Sequence, residues 1–304
     1  MSDVVEGPNP SSLLASFSAN LTYGELSGGL VELAVEAIAE LLRGAAAGWD
    51  DEALEQLFEV VFPVNSTPEA SVVGRRVQLG AGYGALLNAA AAQVTPAGGA
   101  RSVERQISDV VAAAAIAVAE FADVEAADLL VGVVAGLEAA ARIADALGER
   151  HSERGWRVAG TAGRVGAAVA ASRTLGRSSE NHLAAIAFAA TQAAGFAIGS
   201  GVSVPALVAG RAANDGVEAA VVAAVGLIGD PLPLEGRRGL LALVSEGADA
   251  TKLASDLGVI WRAELTRPND GVLRSDALYE AAFQLSDSGD LASVLTEAEL
   301  LADH

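Results

Sequence analysis

The segment Gly160–Ser172, GTAGRVGAAVAAS, is built almost wholly from small side chains, and its three glycines recur every third residue. In a helix Gly160, Gly163 and Gly166 fall along one stripe and let a neighbouring backbone approach closely. The rest of the chain shares this bias. Apolar residues make up 52% of it, yet aromatics only 4%, and alanine and valine dominate. An interior of small side chains suits closely packed helices, so an all-α fold is expected.

Apolar spacing extends that expectation along the chain. Helices are expected over 24–43, over the stretch GWDDEALEQLFEVVF after Asp50 and Asp51, and over 84–94, 106–121, 125–148, 160–175 and 179–199. Further helices are expected over 209–228, 236–246, 250–266, 273–286 and 289–302. Gly148 reads as a C-terminal stop, and Ser178 or Ser179 as an N-cap with Glu180 in the first turn. Only SVVGRRVQL, residues 71–79, reads as a strand. Residues 1–22 are expected to be a leader. A single helical domain is expected over 23–304, with the C-terminal helices at about 270–302 returning to it.

Charge narrows the classes of partner. The chain carries 39 acidic and 19 basic residues, a net charge of −20, and its one lysine is Lys252. Such a chain repels nucleic acid and anionic membranes. An acidic, arginine-rich, lysine-poor composition resembles that of cytosolic proteins from salt-accumulating organisms. The absence of cysteine excludes disulfides, thiolate metal sites and a cysteine nucleophile. MSDVVEGPNP has no basic region followed by an apolar one, so no signal peptide is expected, and the location is expected to be cytoplasmic. Leu183–Gly210 has no charged side chain, but it contains Thr191, Gln192, Ser200, Ser203 and Pro205 and no aromatic belt. It reads as a buried helix followed by a Gly/Ser/Pro loop, not a membrane span.

Few stretches carry chemistry. VQLGAGYGA fits a dinucleotide-loop pattern at Gly80, Gly82 and Ala85, but no βαβ unit follows, so a close-packed helix entry is the better reading. Thr161 is placed to cap the helix after it, and Arg154, Arg157 and Arg164 add positive charge there. This loop reads either as a carboxylate pocket or as tight packing with solvated arginines. His151, His182 and His304 share no metal-binding spacing, and His182 reads as a surface or capping residue. No cofactor or metal motif is found.

From LLVGVVAGLEAAARIADALG through ERHSERGWRVAGTAGRVGAAVAASRTLG the chain resembles the MmgE/PrpD family, which includes 2-methylcitrate dehydratase and cis-aconitate decarboxylase. Glu138 and Arg142 match the family's E-x-x-x-R helix end. Gly155, Trp156, Gly160, Thr161 and Gly163 match its G-[FW]-H-x-T-G-T-x-G loop. LAAIAFAATQAAGF, AGRAANDGVEAAVVA, GALLNAAAAQ and ALYEAAFQLSDSGDLASVL resemble further family segments, covering residues of about 25 to 300. The resemblance implies a large helical domain, with the family's smaller α/β lid inserted before the last helices. It also implies lyase chemistry on di- and tricarboxylates, which needs a positioned acid/base and cationic groups.

The chain departs from that pattern where the chemistry sits. Gln93 stands at a family histidine position, VTPAGGARS replaces D-F-D-D, Arg157 replaces the loop histidine, and Pro205 and Val208 stand where the family has lysine and histidine. After SEGADATKLASDLG the chain runs almost directly into its last helices, so the lid is expected to be missing. The expected fold is therefore the family's all-α helical domain without the lid. Two readings stay open. One is a non-catalytic homologue that forms a homodimer or pairs with a full-length relative. The other is a divergent lyase, or a binder of a small di- or tricarboxylate, using a pocket lined by Asn88, Gln93, Arg157, Thr161 and Gln192.

Overall fold

The computed structural model describes residues 9–65, 67–94, 102–198, 203–267, 274–287 and 289–302. These residues form thirteen α-helices and one two-stranded hairpin. The chain opens with α1 (Pro10–Asn20), α2 (Gly28–Ala47) and α3 (Glu52–Val61), then β1 (Ala70–Val72) and β2 (Val77–Leu79). The central helices are α4 (Ala81–Gln93), α5 (Val103–Ala122), α6 (Ala126–Leu147), α7 (Glu149–Glu153), α8 (Ala162–Thr174), α9 (Ser179–Thr191) and α10 (Ser203–Ala224). The short α11 (Leu240–Val244) and then α12 (Ala277–Gln284) and α13 (Leu291–Ala302) complete the order.

Side chains that capture orphan N–H groups set the helix starts. Ser27, Asp51, Ser102, Ser178 and Asp276 cap α2, α3, α5, α9 and α12 in this way. Small side chains decide how the helices pack. α6 lies along α8, α5 packs on both, α10 packs on α8, and α4 packs on α10 and α5. The alanines from Ala112 to Ala115 on α5 and from Ala167 to Ala171 on α8 are buried. A Cβ on Gly136 of α6 would fall 2.7 Å from the Gly166 carbonyl oxygen of α8, and one on Gly166 would fall 2.7 Å from the Gly136 carbonyl oxygen. The two backbones thus touch at reciprocal glycines.

Four sequence expectations are corrected. Residues 10–20, expected within a leader, form α1: Asn9 accepts from the Ser12 amide at 2.9 Å, Pro10 sits at the first helical turn, and Leu14 and Ala15 enter the core. The strand expected over 71–79 is two strands, paired antiparallel with Ala70 opposite Leu79 and Val72 opposite Val77. The helix expected over 250–266 is instead two 3-10 turns, Ala250–Leu253 and Ala263–Thr266, separated by irregular backbone with Asp256 and Gly258 at positive φ. His182, read as a surface or capping residue, is wholly buried on α9.

Among the described residues no α/β lid interrupts the helices. Among the described residues α12 is the next helix after these two turns, and α12 and α13 pack on α2. Among the described residues no helix is long and apolar enough to cross a membrane.

Candidate functional site

The loop between α7 and α8 is built on backbone contacts with the segment that follows α9. The Arg157 amide donates to the Gly195 carbonyl at 2.8 Å, the Ala197 amide to the Gly155 carbonyl at 2.7 Å, and the Ala194 amide to the Gly160 carbonyl at 3.1 Å. Trp156 and Phe196 pair across this bridge with ring centroids 4.4 Å apart. Gly160 is required here: a Cβ at that position would run into the Ala194 carbonyl.

His151 lies under the loop and is 1% exposed. The Val244 carbonyl, 3.2 Å away, takes its Nδ1 proton, so Nε2 receives the Thr161 hydroxyl proton at 2.9 Å. Both nitrogens are engaged, and burial pushes the imidazole pKa down, in favour of the neutral ring. Thr161 is therefore not the side-chain cap expected of it. It occupies the N-cap position of α8, but its hydroxyl makes no capping bond.

Of the five expected pocket residues, Thr161 and Arg157 touch, the Thr161 hydroxyl lying 3.2 Å from the Arg157 carbonyl, and the side chains of Asn88 and Gln93 have partners of their own. Asn88 accepts from the Val73 amide at 3.0 Å and donates to the Ser71 carbonyl at 2.8 Å, so it pins the hairpin. Gln93 donates to buried Asp109 at 2.7 Å. Thr161 serves His151. Gln192 is exposed at the C-terminal end of α9. Arg157 is half-buried, and its Nε is shielded from solvent with no partner among the described residues. The replacement for D-F-D-D lies mostly in residues 95–101, and His304 lies at the chain end; both are outside the described residues. Pro205 and Val208 fall within the first two turns of α10.

Glu138 and Arg142, which match the E-x-x-x-R helix end, have a role that the sequence reading left unassigned. Arg142 is wholly buried. Its Nε donates to Glu138 at 2.5 Å, and its two terminal nitrogens donate to the carbonyls of Ser255 at 2.6 Å and Ile260 at 2.8 Å. The second carboxylate oxygen of Glu138 accepts from the Ala263 amide at 2.6 Å. Burial raises the Glu138 pKa against the attraction of Arg142. The pair fastens the irregular strap 252–263 across the end of α6. Beside the loop, Arg164 of α8 pairs with Asp215 of α10 inside the bundle. Among the described residues no three His, Asp or Glu side chains converge in a way that could hold a metal ion.

The model of the MmgE/PrpD N-terminal domain matches residues 12–253, and the chain belongs to this family. No curated protein matches it.

Proposed function

Taking that membership as given, we propose that this chain is a helical-domain relative without lyase activity, serving as a dimerising or partner-binding protein in the cytoplasm of a salt-accumulating cell. The observation that carries the reading is the state of the loop's acid/base groups. The one histidine beneath it, His151, has both nitrogens bonded, and the position of the family's loop histidine holds Arg157, whose side chain offers hydrogen-bond donors and no acceptor. Large apolar side chains left in water favour association: Val60 is 72% exposed, Leu207 is 47% exposed, and both line an apolar cleft of about 300 Å³ between α3 and α10.

Two measurements test this. Incubation at high salt with 2-methylcitrate, citrate or cis-aconitate, followed by ultraviolet absorbance, is expected to give no change, and clear turnover would overturn the non-catalytic part. Light scattering after size exclusion is expected to give a mass above that of the 30.5 kDa monomer, alone or with a full-length relative from the native cell. A monomer at every concentration, with no relative retained, would overturn the association part.

Arg157 supports a second reading, in which the loop binds a small di- or tricarboxylate. Its shielded, unpartnered Nε favours this. A carboxylate panel should then raise the melting temperature of the native chain but not that of Arg157→Ala. An equal response from both would remove this reading.

A further inference from the structure

Beside Trp156 lies a cleft of about 590 Å³ between the C-terminal half of α9 and the loop 230–239 that leads into α11. Its walls are mostly apolar and include Trp156, Ala187, Ala190, Leu240 and Leu243, and its rim carries Arg237 and Arg238. Both arginines are exposed, and neither forms an ion pair or hydrogen bond among the described residues. In a chain with 39 acidic residues against 19 basic ones, carboxylates to pair with them are abundant. Arg142, Arg164 and Arg173 in the bundle all have such partners.

The loop's own hydrogen bonds explain why these two do not. Glu235, two residues before Arg237, is not among the residues lining the cleft and accepts from the Ser11 amide at 3.1 Å and from the Ser11 hydroxyl on α1. Asp230, the one acid of the rim, caps the Leu232 amide at 2.7 Å. Backbone bonds fix the turn that presents the arginines: the Gly236 amide to the Leu232 carbonyl at 3.0 Å, Gly239 to Gly236 at 2.7 Å, and Leu240 to Pro233 at 2.9 Å. Two guanidiniums thus stand over an apolar cleft with one carboxylate beside them. The volume falls in the range of small-ligand pockets, roughly 300–1,000 Å³.

We propose that this cleft binds a small amphipathic anion, with a carboxylate held by Arg237 and Arg238 and an apolar chain laid along Trp156, Ala187, Ala190 and Leu240. Guanidinium forks match carboxylate geometry, and the chain's apolar surface leaves water on the same contact. The proposal stands apart from the reading above: it uses neither Arg157 nor an assembly partner, and the monomer suffices to test it.

Calorimetric titration with octanoate, octanol, acetate and inorganic phosphate provides the test. Octanoate is expected to saturate one site. Octanol lacks the charge, acetate and phosphate lack the chain, and each should bind at least about tenfold more weakly. Arg237→Ser/Arg238→Ser alters exposed side chains only and should weaken octanoate at least about tenfold with the melting temperature unchanged. Octanol binding as tightly as octanoate, unaltered octanoate affinity in the double variant, or no saturable octanoate binding at millimolar concentration would each overturn the proposal. The comparison of octanoate with octanol uses the unaltered chain, so it decides the matter even if the double variant folds poorly.

Discussion

Arg142 brings a full charge into a site with no exposed surface, and its value there depends on partners that the chain supplies from residues far away in sequence. Removing one member of a buried ion pair leaves the other uncompensated, at about 3–5 kcal/mol. Arg142→Met is therefore expected to lower the unfolding free energy by about that amount and to expose the strap 252–263 to proteases, because the Ser255 and Ile260 carbonyls lose their donors. Denaturant melts and mapping of the cleavage sites check both effects. Unchanged stability, or cutting elsewhere first, would contradict the assigned role. His182 supplies a second prediction. Its Nδ1 proton goes to the Ser178 carbonyl at 3.0 Å, Nε2 has no partner among the described residues, and burial, with Arg173 adding to it, pushes its pKa from 6.5 down to about 4. The unfolded chain thus takes up this proton first as the pH falls. Stability from the neutral ring is whole above about 6.5 and is lost between 6.5 and 4, to a total of about 3 kcal/mol. His182→Leu leaves the Ser178 carbonyl bonded to the residue 182 amide at 2.9 Å and removes that loss. Stability measured against pH should therefore fall more steeply for the native chain than for this variant, and parallel curves would be inconsistent with a buried neutral imidazole.

Helix pairs turn such local chemistry into a fold, and glycine substitutions separate two roles that look alike in sequence. Gly160, Gly163 and Gly166 are evenly spaced, yet only Gly160 and Gly166 are pressed against another segment's backbone; around Gly163 the nearest atom to a new Cβ would lie at 3.6 Å. Alanine is a better helix former than glycine by about 1 kcal/mol. Gly163→Ala is expected to be neutral or to raise stability by up to that amount, whereas Gly166→Ala should lower it by about 1–3 kcal/mol through overpacking between α8 and α6. Equal effects in thermal melts would mean that the helices do not meet at Gly136 and Gly166. The same contrast explains what the sequence made legible. The spacing of Leu, Ala and Val located the central helices, because burying an apolar face imposes that period. Residues 250–266 carry a helical pattern too, but Arg142 and Glu138 capture their backbone groups, and no local signal announces a partner more than a hundred residues away. α1 does carry a local signal, since Asn9 followed by Pro10 is a helix start. At the candidate site, the residue matches identified the loop. They did not show that Asn88 pins a hairpin or that Gln93 meets Asp109, because the sequence alone does not reveal which buried partner satisfies an amide.

For the molecule as a whole, the excess of acid sets conditions that none of the packing requires. Buried Glu36, Glu138 and Asp215 pair with Arg267 and Arg274, with Arg142 and with Arg164, and half-buried Asp276 pairs with Arg43. The net charge of −20 therefore belongs mostly to the surface, where like charges repel in the compact state more than in an expanded chain. Surface repulsion is screened by salt, with a Debye length of about 10 Å at 0.1 M and about 3 Å at 1 M. Buried pairs such as Arg142 with Glu138 are shielded from that screening by the protein around them. Adding salt should then weaken the repulsion and leave the internal pairs intact, so the melting temperature should rise from low salt to 1 M sodium chloride. A gain of ~1 kcal/mol would appear as roughly 2 °C for a chain of this size. Sodium chloride and sodium sulfate at matched ionic strength separate the causes. Screening gives similar rises in both, whereas a rise confined to sulfate would trace to strengthened apolar burial, and a fall in both would show that surface ion pairs, not net repulsion, govern the stability of this acidic chain.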